Sequence, residues 1–159
     1  MSARYFEDFA VGQRFGSGRR RVDAAEIKAF AARYDPQPFH LDEQAAAGTI
    51  FGGLAASGWH TAAVTMRLAV EGDMRPAGGF VGVGVEELRW PRPVRPGDEL
   101  RVESEVLEVR PSRSRPGEGL VKARVTTLNQ RDEPVQVFVA NLLVARRAPG
   151  SGAAAATAG

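Results

Sequence analysis

The run LAASGWHTAAVTMRLAV, residues 54–70, constrains the fold more than any other stretch. On a helix, Leu54, Ala55, Ala56, Trp59, Ala62, Ala63, Val64, Met66, Leu68, Ala69 and Val70 leave no polar face. A helix without a polar face belongs in an interior. Gly72 supplies a natural stop. A helix over residues 53–71 would span about 27 Å at roughly 1.5 Å per residue, the width of a small domain. Ser57, Gly58, His60, Thr61, Thr65 and Arg67 interrupt the run too often for a membrane span. Something in this chain must therefore wrap the helix.

The rest of the sequence supplies the wrapping. Residues 79–90, 98–110, 119–129 and 134–146 are rich in Val and Leu and read as strands. Turn-forming stretches, PRPVRPGD, PSRSRPGEG and NQRDEP, separate them. The last strand is apolar on both faces from Val135 to Ala145, which predicts a central position. The third alternates and is half-exposed. RFGSGRRRV, residues 14–22, offers one more strand. DAAEIKAFAARY, residues 23–34, has helical spacing, with Asp23 as N-cap and Glu26 three residues on. A short helical turn restarts near Asp42 through EQAAA. The order is helix, kink, buried helix, then four strands. That predicts an α+β fold, a curved antiparallel sheet wrapped around one long helix. One sheet on one helix leaves an edge and a concave face to protect, and pairing with a second copy protects both.

At 159 residues the chain is one domain over 1–147. The Ala/Gly-rich tail 148–159 is read as disordered. With 43% hydrophobic and 25% charged residues, the chain buries a core without staples. A net charge of +2 is a small arginine surplus. It argues against nucleic acid as the main partner and suits an anionic small molecule. The absence of cysteine excludes disulfides, thiolate nucleophiles and Cys-ligated metal sites. MSARYFEDFAVGQRF has no apolar signal region, so the expected location is cytoplasmic.

Chemistry concentrates in YDPQPFHLDEQAA, residues 34–46. A residue before proline is pushed into extended geometry, and here that restriction falls on both Asp35 and Gln37. The arch is stiff before any tertiary contact forms. Asp35 at a helix end meets an unfavourable dipole, and shielding from water would raise its pKa further. His40 titrates near neutrality unaided. Two such groups on one arch can share a water and move its protons. DPQP is equally a good turn, with His40 merely packed. A second stretch, FGGLAASGWHTAA, residues 51–63, places Gly52 and Gly53 before the apolar helix. Helix N-termini offer free N–H groups, and glycine lets a ligand oxygen approach them. A pair of glycines there is also an ordinary tight turn.

These two stretches, with WPRPVRPGDELRV at 90–102, resemble the MaoC-like dehydratase family, whose relatives include the (R)-specific enoyl-CoA hydratases of the hotdog fold. The resemblance covers residues 5–146. It implies a catalytic pair at Asp35 and His40, and a thioester-polarising N–H at Gly53. It implies substrate contacts from Gln37, Gly52, Thr61 and Phe51. The family commonly has Asn where Gln37 stands, and often His where Gly52 stands. Thr61 matches a serine of some members. These departures fit a subgroup with altered substrate preference.

The implied activity is reversible hydration of a trans-2-enoyl-CoA to the (3R)-hydroxyacyl-CoA, with no metal or redox cofactor and with CoA as part of the substrate. The implied assembly is a homodimer or higher homo-oligomer. A hotdog acyl-CoA thioesterase and a non-catalytic acyl-CoA-binding protein are the alternatives. A close Asp/His pair favours hydration, because hydration needs acid and base near C2 and C3. His60 is expected as a hydrogen-bonded core residue and Trp59 as core. Phe51 lines an acyl tunnel or belongs to the core. Arg89, Arg92 and Arg95 either meet CoA phosphates or form a solvated rim. No G-x-S-x-G occurs, and GFVGVG lies in strand-like sequence rather than between a strand and a helix.

Overall fold

A computed structural model describes residues 2–148, so the tail lies almost wholly outside the described residues. After a short 3₁₀ turn, Phe6–Asp8, come β1 (Arg14–Gly16) and β2 (Arg20–Arg21). Next are α1 (Ala24–Tyr34), α2 (Pro38–Leu41), α3 (Glu43–Ala47) and α4 (Gly58–Glu71). The chain then runs through β3 (Val81–Arg89), β4 (Glu99–Pro111), β5 (Glu118–Leu128) and β6 (Pro134–Ala145). The sheet is antiparallel in the order β1-β4-β5-β6-β3, with β2 also on β4. This is the expected hotdog architecture.

Local chemistry sets the elements. Asp23 caps α1 by accepting from the Glu26 N–H at 2.8 Å, and Asp42 caps α3 by accepting from the Ala45 N–H at 2.8 Å. β6 lies between β5 and β3, inside the sheet as expected, and from Ala140 to Ala145 its buried positions alternate with half-buried ones. β5 alternates buried with half-buried positions, as its sequence alternates. Val64 and Leu68 of α4 join Val102, Val106, Val121, Ala123, Val144 and their neighbours in one core. Among the described residues no helix is long and apolar enough to cross a membrane.

Two expectations about the long helix need correction. It starts at Gly58 rather than residue 53. Residues 54–57 are non-helical and buried, and apolar composition alone does not separate a buried extended segment from a buried helix. Nor is the helix buried all round. His60, Thr61, Val64, Thr65 and Leu68 face inward, whereas Trp59, Met66 and Val70 are 58%, 50% and 56% exposed. The sheet covers one side of α4 only, and Trp59 is not core.

Candidate active site

Asp35 ends α1 in a non-helical conformation, φ −151° and ψ 65°. Pro36 keeps it out of helical geometry, and Pro38 opens α2 at a position where proline lacks nothing the helix needs. The chain folds back within this arch. The Gln37 N–H donates to the Asp35 carbonyl at 2.7 Å, and the His40 N–H to the Gln37 carbonyl at 3.0 Å. As a result His40 Nε2 stands 3.3 Å from Asp35 Oδ2. The arch brings the two predicted residues into contact.

Both carboxylate oxygens of Asp35 are engaged. Gln37 Nε2 donates to Oδ1 at 2.5 Å. The Ser57 hydroxyl donates to Oδ2 at 2.7 Å. Partial burial pushes the Asp35 pKa up, but the hydrogen bonds from Ser57 and Gln37 and the nearby His40 outweigh it. The net shift is downward, opposite to the sequence expectation. Donors aimed at the ionised form favour it, and the helix-end dipole does not compensate.

His40 is buried, and its Nδ1 lies 2.6 Å from the Ala55 carbonyl oxygen. A carbonyl only accepts, so Nδ1 carries the proton. In the neutral ring Nε2 is then a lone pair facing Asp35. Two acceptors 3.3 Å apart suit a water that donates one hydrogen to each. When Nε2 is protonated they form an ion pair instead.

His40 opens into a cleft of about 390 Å³ that Gln37, Phe51, Gly58, Thr61 and Trp90 also line. Phe51 is therefore a wall residue. Thr61 is buried, and its hydroxyl reaches the Ser57 carbonyl only at 3.5 Å. Asp35, Gly52 and Gly53 are not among the lining residues, and Asp35 adjoins the cleft through His40 and Gln37, which are. Gly52 takes φ +64°, a turn conformation that favours glycine, and its N–H donates to the Thr49 carbonyl at 2.9 Å. Gly53 stands five residues before α4, and its carbonyl accepts from Arg95 at 2.9 Å. The helix N-terminus that motivated Gly53 belongs to Gly58, whose N–H has no acceptor inside the helix.

Sequence reasoning missed Ser57, Gly58, Trp90 and the Ala55 carbonyl. A serine just before a helical apolar run is an N-cap signature, and Ser57 does cap α4, accepting from the Trp59 N–H at 3.2 Å. Of the three arginines, Arg89 and Arg92 are exposed, as the solvated-rim reading has them, and only Arg95 departs from both readings. Arg95 is taken up by backbone carbonyls. Arg92 pairs with Glu133 at 3.1 Å and Arg89 with Glu87 at 3.4 Å. His60 is buried as expected and stacks on Phe30, centroids 4.8 Å apart. Its Nδ1, however, has no hydrogen-bond partner among the described residues. Burial lowers its pKa despite nearby Glu26, and nearby Arg20 lowers it further.

The model of the MaoC like domain family matches residues 8–129. The crystal structure of a MaoC-like dehydratase from Rhodospirillum rubrum superposes with a TM-score of 0.88 at 57% identity, covering 92% of this chain and 99% of that one. The uncharacterized protein YdeM of Bacillus subtilis is 33% identical over 138 residues, 87% of this chain and 95% of YdeM. A 3-hydroxybutyryl-CoA dehydratase of Methylorubrum extorquens is 37% identical over 112 residues, 70% of this chain and 69% of that protein.

Proposed function

We propose that this chain, which belongs to the MaoC-like family, is a hydro-lyase that adds water reversibly across the double bond of a trans-2-enoyl-CoA. The observation that carries this reading is the 3.3 Å approach of His40 Nε2 to Asp35 Oδ2 beside an open cleft. The relative named as a 3-hydroxybutyryl-CoA dehydratase supports the reaction class. So does the structural likeness to the (R)-hydratase PhaJ1 of Pseudomonas aeruginosa, with a TM-score of 0.72 at 28% identity.

In the hydration direction, a water held between Asp35 and His40 attacks C3 of the enoyl thioester. One of its protons passes to the pair, and a proton from the same site reaches C2. Delivery from one side makes the addition syn, and the product assigned is the (3R)-hydroxyacyl-CoA. The developing negative charge sits on the thioester oxygen. The Gly58 N–H, first in α4 and on the cleft wall, is the donor assigned to it, in place of Gly53. Gln37 and Ser57 hold the carboxylate ionised. Thr61 and Phe51 bound the acyl group.

The functional unit is assigned as a homodimer. Trp59 and Met66 on the open side of α4 share an apolar cavity of about 220 Å³ with Phe80 and with Val85 of the edge strand. A second copy laid on that side covers it.

Purified protein incubated with a panel of enoyl-CoA thioesters tests the reaction. Loss of the conjugated enoyl absorbance without free thiol is the expected result. Thiol release identifies a thioesterase, and no change with any substrate overturns both. Asp35→Asn and His40→Gln should each lower turnover by ~10²–10⁴. The double variant should be little worse than the poorer single one, because both residues act on one proton path.

A further inference from the structure

We infer that Arg95 is a positioning residue for His40, acting through the backbone of residues 51–55 and not through the CoA phosphates. This rests on the hydratase reading above for its kinetic arm only. The guanidinium donates to three backbone acceptors: the Gly53 carbonyl at 2.9 Å, the Leu54 carbonyl at 3.3 Å, and the Phe51 carbonyl. Those carbonyls belong to residues 51–57, a strap leading into α4 that is itself neither helix nor strand. The next carbonyl, that of Ala55, fixes the proton on His40 Nδ1.

Arg95 itself is anchored. Its N–H donates to Asp98 Oδ2 at 2.9 Å, and the buried Asp98 accepts from Gln130 Nε2 at 2.9 Å. The same turn is tied to the chain before α1, with the Gly97 N–H on the Val22 carbonyl at 2.7 Å and the Val22 N–H on the Asp98 carbonyl at 2.8 Å. Two further bonds sew the strap to its neighbours. The Ala55 N–H donates to the Phe39 carbonyl at 3.1 Å, and the Ala56 N–H to the Val94 carbonyl at 2.9 Å. A rigid turn therefore holds a planar fork, and the fork holds the strap that presents Ala55. Arg95 is absent from the cleft lining, whereas Arg92, Pro93 and Val94 line it. A planar, multi-donor guanidinium suits several carbonyls at once, and an ammonium does not.

The test uses Arg95→Met and Arg95→Lys in the full chain, with thermal unfolding recorded for each. The chain has only two histidines, so ¹⁵N spectra of the imidazoles resolve the His40 tautomer directly. At a pH where the ring is neutral, wild type should show the proton on Nδ1. Both variants should show a mixture with the proton on Nε2. Turnover should fall by up to about 10²-fold, the cost of a misplacement of about 1 Å caused from outside the reacting groups, with KM changed less than about threefold. That KM should be equally insensitive for an enoyl-CoA and for the corresponding enoyl-pantetheine, which lacks the nucleotide phosphates. A KM rising for the CoA thioester alone would identify a phosphate contact and overturn the inference. An unchanged His40 tautomer in a folded variant would also overturn it. If Arg95→Met does not fold, the lysine variant decides by the same spectrum. A wild-type protein that hydrates nothing overturns the hydratase reading, and the tautomer still decides the role of Arg95.

Discussion

At the scale of single residues, Asp35 is held ionised by donors rather than by isolation from water. Its pKa is depressed below the ordinary 3.8. The stability this contributes is therefore complete above about pH 3.8 and is lost as pH falls through the depressed value. The same carboxylate stays an acceptor throughout the neutral range. Ser57 is the strongest of the donors that lower it, and its hydroxyl oxygen also caps α4. Ser57→Ala removes both roles. The Asp35 pKa should rise, so the acid limb of kcat/KM that Asp35 governs should move to higher pH. Loss of the cap should cost about 1 kcal/mol of stability. Ser57→Thr keeps the hydroxyl and should restore the wild-type limb. A pH–rate profile that is unchanged in Ser57→Ala would separate Ser57 from the base. The stiff arch that carries Asp35 and His40 was legible in the residues because proline restriction is local, acting through bonded neighbours, whereas their pairing was implied by the family resemblance. Ser57 and the Ala55 carbonyl were not. They meet the pair across 22 and 15 residues, a distance that only the fold closes.

Among the elements, β3 to β6 were legible within a residue or two, because their period and their Gly/Pro turns coincide, whereas 14–22 holds two short strands, β1 and β2, in place of the one expected. The start of α4 was not. Residues 54–56 are buried and apolar like the helix, but the Leu54 and Ala55 carbonyls go to Arg95 and His40, and the first carbonyl taken up by the helix is that of Ser57, which accepts from the Thr61 N–H at 3.1 Å. Ser57 caps the helix start, and packing requires glycine at the first helical position, 58. A Cβ there would lie 2.5 Å from the Trp90 ring. That ring is held in turn, because Trp90 Nε1 donates to Gln136 Oε1 at 2.8 Å and Gln136 Nε2 donates to Thr65 Oγ1 at 3.0 Å. Thr65 donates to the Thr61 carbonyl at 2.8 Å, so the 2.6 Å bond from Thr127 must run toward Thr65. Gln136, Thr65 and Thr127 are all buried, so moving Trp90 would leave buried polar groups unpaired. Gly58→Ala should therefore cost about 1–3 kcal/mol and lower turnover. Gly53→Ala, whose Cβ would meet only the Arg95 guanidinium at 3.5 Å, should be tolerated. Thermal melts and enoyl-CoA turnover of the two variants check the contrast. Equal sensitivity at both glycines would contradict it.

For the whole molecule, the all-round apolar surface of residues 54–70 and the half-exposed helix are one fact seen twice. A sheet of this size covers one side of α4, and the sequence stays apolar on the other. The uncovered side is not isolated. Trp59 and Met66 border the same apolar cavity as Val85, and Val81, Val83 and Val85 of β3 are all about half exposed. Among the described residues β3 pairs only with β6, which leaves its second edge open. An exposed apolar edge strand is a liability in a monomer and an asset in a dimer. Met66→Glu and Val83→Lys separate the two cases. In a monomer both positions are surface, and such substitutions stay within about ±0.5 kcal/mol. In a homodimer either one buries a charge against the partner. Wild type should then sediment at twice its 17.0 kDa chain mass, with a melting temperature that rises with protein concentration. The two variants should sediment at the chain mass, with melting temperatures independent of concentration. A wild type that sediments as a monomer at micromolar concentration would leave the apolar side of α4 facing water and would overturn the dimer.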